Sequence, residues 1–119
     1  MSKCVPACKV EHLDSRLVSR LLHVQRLIGF PLIPTSGFRT LEWEKAKGRS
    51  GKSSHCHRDK ERKAASLAID VAVKDSYERF KILFACLYCD IPRIGVGKTF
   101  LHLDIDTTKP HPIIFHYYD

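Results

Sequence analysis

The sequence predicts a small α+β domain, with two main helices and a small antiparallel sheet. Three observations carry this. Apolar residues recur at helical spacing over residues 14–28 and again over 75–89. "SLAIDVAV", "RIGVG", "FLHLDI" and "PIIFHYY" are short apolar runs, rich in β-branched or alternating residues, as strands are. The order along the chain is helix, strands, helix, strands, which suits segregated rather than uniform elements.

Asp14 is placed to N-cap the first helix, whose Leu17, Leu21, Val24 and Ile28 fall on one face and whose stop is Gly29. "PLIPTSG" then reads as a short extended segment entering a turn, and "TLEWEKAK" as a short helix capped by Thr40. Residues 48–63 are rich in Gly, Ser and Lys and read as a long basic loop. "SLAIDVAV" reads as a central strand. Asp75 followed by Glu78 forms a capping-box pattern that opens the second long helix, expected to run to about Cys89. Three short strands complete the chain.

Composition bounds the possibilities. The 119 residues, 44% hydrophobic and 28% charged, fit one domain, 1–119, with a single core. No apolar run approaches the roughly 20 residues of a bilayer span. "MSKCVPACKVEHLDS" has no continuous apolar core of a secretory signal, so synthesis in the cytosol is expected, with any route to a cell wall lying elsewhere. Five cysteines, an odd number, argue against a closed disulfide framework. Cys4, Cys8, Cys86 and Cys89 invite a four-thiolate zinc reading, but Cys86 and Cys89 lie in an apolar helical run, where buried thiols on one face are commoner. Oligomeric state is not legible.

The formal charge is +7, and its distribution is uneven. Residues 45–63 hold eight Lys or Arg against Asp59 and Glu61, a local +6. Such a loop is either a solvated surface or a steering patch for an anionic polymer. Nucleic acid is the weaker partner, because no aromatic residue follows Trp43 within it to stack on bases.

Asp70 stands inside the apolar "LAIDV", where an unpaired charge is costly, so it needs a metal or an Arg. His102 and Asp104, two apart on a strand, share a face. A loop holding His55 and His57 precedes Asp70. Two imidazoles and a carboxylate suit a catalytic Zn²⁺ with one position left open.

In order along the chain, "TSGFRT", "SSH", "LAID" and "FLHLD" resemble the motifs of the zinc D-Ala-D-Ala carboxypeptidase family, peptidase family M15, whose fold the hedgehog signalling domain shares. The likeness runs from about residue 13 to the end and includes "IGFPLIPTSGFRT". It implies a hedgehog-like α+β fold, Zn²⁺ held by His55, Asp70 and His102, and a peptidoglycan peptide as substrate. It also implies substrate contacts from Arg39, whose fork suits a terminal carboxylate, and from Ser53. The activity implied is hydrolysis of D-amino-acid-containing peptides, as a carboxypeptidase or an endolysin-type endopeptidase, possible also for a phage-encoded protein. Bound zinc polarises the scissile carbonyl and lowers the pKa of a coordinated water towards about 7.

Two departures from the family pattern matter. His55 and Asp70 are fifteen residues apart, farther than the family's spacing, with "CHRDKERK" as a basic insertion and His57 as a rival ligand. Thr99 stands where many members have an acidic residue, which leaves Asp104 as the expected general base or, alternatively, as the acceptor that fixes the His102 ring. An inactive binding module of the same fold is the competing reading.

Overall fold

The computed structural model describes residues 13–36 and 66–117. Helix α1 spans Ser15–Ile28. It starts where expected because the buried Asp14 caps it: one carboxylate oxygen accepts the Arg16 N–H at 2.9 Å, and the Arg16 guanidinium pairs with the same carboxylate. The backbone N–H of Asp14 donates to Ser66 O, tying the helix start to the entry of a strand. Gly29 ends α1 at φ 81°, a left-handed conformation that only glycine adopts without a Cβ penalty. The Gln25 side chain then accepts the Leu32 N–H at 2.8 Å and turns the chain back towards the sheet.

Five strands follow among the described residues: β1 Pro34–Ser36, β2 Ala68–Ala72, β3 Arg93–Val96, β4 Phe100–Asp104 and β5 Ile113–His116. Between β2 and β3 runs helix α2, Ser76–Tyr88. Asp75 accepts the Glu78 N–H at 2.8 Å, and Glu78 reaches back to the Lys74 N–H at 3.0 Å, one residue before the cap itself. The strand order is β1-β2-β4-β3-β5. Pro34 is tolerated in β1 because that strand lies at the sheet edge.

The architecture is a small α+β fold, as the sequence predicts, but the sheet is mixed rather than antiparallel. β1, β2, β4 and β3 pair antiparallel, whereas β5 pairs parallel to β3, with Ile94 opposite Ile114. The cause is a matter of placement. β3 and β4 form a hairpin; the chain leaving β4 passes beyond β3 and docks on its free edge, so β5 runs in the direction of β3. "SLAIDVAV" is an interior strand, as expected, although β4 holds the middle position.

The core lies between the helices and one face of the sheet. Leu17, Leu21, Val24 and Ile28 of α1 meet Ile82, Ala85 and Cys86 of α2 and the alternate strand residues Ile69, Val71, Ile94, Leu101 and Leu103. Leu17, Val71, Leu101 and Leu103 are fully buried. Each such side chain stabilises the fold by about 1.5–3 kcal/mol. No described helix is long and apolar enough to cross a membrane. The short helix read in "TLEWEKAK" and the basic loop at 48–63 lie outside the described residues, as do Cys4 and Cys8.

Cys86 and Cys89 are free thiols buried in this core. Burial first, and the neighbouring Cys89 second, push the Cys86 thiol up to about 12. Only a thiolate attacks alkylating reagents. The expected result is that iodoacetamide at mildly alkaline pH leaves Cys86 unlabelled in the folded protein and labels it in urea, read by peptide mass spectrometry. Labelling of Cys86 in the native state at the unfolded rate would show that α2 is not packed as described.

Candidate functional site

The opposite face of the sheet carries the chemistry. In β2, Ile69 and Val71 enter the core, so Asp70 points the other way; in β4, Leu101 and Leu103 do the same for His102 and Asp104. Register then decides which residues meet. Asp70 is the direct partner of His102, and His102 of Gly95; Asp104 is the direct partner of Arg93. Phe115 of β5 is in turn the partner of Gly95. Cross-strand partners share a face, so these positions form two adjacent rows.

The His102 ring bridges two carboxylates. Its Nδ1 lies 2.9 Å from Asp70 Oδ1, and its Nε2 lies 2.6 Å from Asp104 Oδ2. Asp104 is completely buried and surrounded by donors. Arg93 Nε stands 2.9 Å and 3.1 Å from its two oxygens, and the Asp106 backbone N–H donates to Oδ1 at 3.0 Å. The guanidinium is itself fixed, since Arg93 Nη1 donates to Pro110 O at 2.6 Å and its Cζ lies 5.3 Å from the Phe115 ring centre. Asp70 differs: 15% of its side chain remains exposed, so this end of the cluster opens to solvent.

Burial alone would push the His102 pKa down. The hydrogen bonds to Asp104 and then to Asp70, with the charges of both carboxylates, outweigh it, and the net direction is up. Both carboxylates thus favour the protonated ring, which can donate from each nitrogen.

Gly95 shapes the other side of the ring. A Cβ there would stand 2.6 Å from edge carbons of both Phe115 and Tyr117, so the missing side chain is what lets those two rings lie over the sheet. They approach His102 at centroid distances of 5.8 Å and 6.2 Å, and Phe100 extends the wall through Tyr117 at 5.2 Å. The arrangement is an imidazole between an open carboxylate and a buried one, flanked by aromatic rings.

Of the residues singled out in the sequence, Asp70, His102 and Asp104 come together. His55, the rival His57, Arg39 and Ser53 lie outside the described residues. Among the described residues no group of three or more His, Cys, Asp or Glu side chains is placed to hold a metal ion. Geometry explains this: Asp70 and Asp104 take opposite nitrogens of one ring, so the three do not converge on a point. Asp70 and His102 are chemically suited to be two ligands of a three-ligand site, with Asp104 holding the ring from behind. Sequence reasoning missed Arg93 and the ring wall of Phe115 and Tyr117. A buried Asp104 signals a need for a cation, but choosing Arg93 requires the β3–β4 register.

Compared with models of known families, with curated proteins and with solved structures, the chain matches none.

Proposed function

We propose that the protein is a zinc metallopeptidase of hedgehog-like, D-Ala-D-Ala carboxypeptidase type, acting on D-amino-acid-containing peptides of peptidoglycan. One observation carries the proposal. Asp70 and His102 Nδ1 lie side by side at the solvent-open end of the cluster, while His102 Nε2 is held by a buried, Arg-paired carboxylate. A metal-ligating histidine needs this kind of outer partner, which fixes the ring and its tautomer. In this reading Asp70, His102 and His55 hold Zn²⁺, and Arg39 and Ser53 bind substrate. When bound, the ion activates water and polarises the scissile carbonyl.

Asp104 then acts as the residue that positions the ring. It faces the nitrogen away from Asp70 and already accepts from three donors, which supports ring-holding over proton abstraction from water. That placement, together with Thr99 at the position of the family's acid, favours a second reading: a metal-bearing binding module without hydrolysis.

Purified protein should bind close to one Zn²⁺ per chain by elemental analysis. It should also release D-alanine or cleave cross-bridges from wall fragments, with a chelator stopping the reaction. Zinc at this stoichiometry with no hydrolysis selects the binding module. Absence of zinc after incubation with excess metal at neutral pH rejects both.

A further inference from the structure

We propose that the outer face of α2 is a two-fold dimer interface, its partner being a second copy of this chain. The observation is the composition of the helix surface. Only Ile82, Ala85 and Cys86 of α2 are buried, yet Tyr77, Phe80, Phe84 and Tyr88 leave between 63% and 72% of their surfaces exposed, and Leu87 leaves 52%. Spaced at three, four and four residues, the four rings form one continuous stripe. A helix apolar on both sides is normally buried on both sides.

Area points to a whole interface and not to scattered exposure. An aromatic side chain offers about 150–250 Å². The four rings at these exposures, with Leu87 and Leu27, present apolar area on the order of 600 Å². That is at the top of what a monomer's largest patch shows, and near the roughly 800 Å² that each partner contributes to a standard interface.

The surface is also self-complementary, as a two-fold contact requires. Beside the stripe a groove of about 290 Å³ runs between the helices, lined by Leu27, Ile28, Phe80, Phe84 and Tyr88 among others. One face thus supplies both projecting rings and a slot for the partner's rings.

His23 packs edge-on against Tyr88, whereas Lys81 lies over Phe30, so α1 and α2 run antiparallel. The end of the stripe at Tyr77 mixes Lys74 and Arg79 with Asp75 and Glu78, and the end at Tyr88 sets Asp90 near Arg20 of α1, so both ends are of mixed sign. A two-fold axis near Phe84 lays each mixed-charge end of the stripe on the opposite end of the partner's. The Lys81 ammonium groups are drawn aside towards Phe30 and Tyr77, at 5.8 Å and 5.7 Å from those ring centres.

Sedimentation velocity and light scattering across the micromolar range test this. The wild type is expected to move from monomer to dimer with rising concentration. Phe84→Glu is expected to be monomeric with an unchanged circular dichroism spectrum, and Leu27→Glu, on the other helix, to weaken the dimer at least tenfold by setting a charge in the groove. The second variant keeps the test decisive if the first fails to fold. A wild type that stays monomeric throughout overturns the proposal, as does a dimer that survives Phe84→Glu. A monomeric wild type that co-sediments with anionic phospholipid vesicles overturns it in favour of a lipid surface.

Discussion

Arg93→Met is expected to destabilise the protein by about 3–5 kcal/mol, the size associated with stripping one partner from a buried ion pair. The reason is what it leaves behind. Asp104 has no exposed surface, and its other donors are the His102 ring and one backbone N–H. The substitution also abandons the Pro110 carbonyl that Arg93 Nη1 now satisfies. Against a typical total of about 5–15 kcal/mol, a loss of this size consumes much of the stability. It should lower the melting temperature by more than 10 °C, at about 4 °C per kcal/mol for a domain near this size. Adding Asp104→Leu should recover part of the loss, because no buried charge then lacks a partner. If the double variant is less stable than Arg93→Met alone, the ion pair is not the cause. Denaturant midpoints of the three proteins decide it.

Both long helices were legible in the sequence because their signals are local. Asp14, Gly29, Asp75 and Glu78 mark ends within a turn of the residues they satisfy, and the stripe of Leu17, Leu21, Val24 and Ile28 faces the core as its spacing requires. The strands were legible for the same reason. The direction of β5 was not, since nothing in "PIIFHYY" states which edge of the hairpin it will join. Once it docks on β3, its direction follows.

The site divides along the same line. The spacing of His102 and Asp104 placed both on one face, and their side chains meet there at 2.6 Å. Asp70 demanded a partner, and one that it has, His102, lies 32 residues away and is set by the β2–β4 register. Arg93 and Gly95 enter through the β3–β4 register, and Phe115 through the parallel pairing with β5. Residue chemistry announced which groups were costly to bury. Only the pairing of strands says what relieves them.

Asp70→Ala should abolish stoichiometric zinc binding, whereas Asp104→Asn should weaken it by about 10–100-fold, the usual cost of losing an outer partner of a metal ligand. The contrast follows from the two ends of one ring. Asp70 lies beside Nδ1 at the open end, where a ligand's loss cannot be compensated from the sheet. Of the ring, Asp104 touches the far nitrogen, so its amide analogue keeps shape and loses the charge that holds the ring. Proton competition gives the same experiment a second readout. The metal-free cluster raises the His102 pKa despite burial, and a ligating imidazole must be neutral. Zinc affinity in the wild type should therefore fall as pH is lowered through that raised pKa, with a proton released wherever the ring is still charged before binding. The sign for folding is opposite. A pKa raised above its unfolded value of about 6.5 contributes stability that is full below that pH and is lost as pH rises through the folded value. The metal-free wild type should lose this contribution on alkaline titration across that window, and Asp104→Asn should lose less, having less of it to lose. Equal zinc affinity in wild type and Asp70→Ala, measured by competition with a chelating dye, would remove Asp70 from the ligand set and the proposed centre with it.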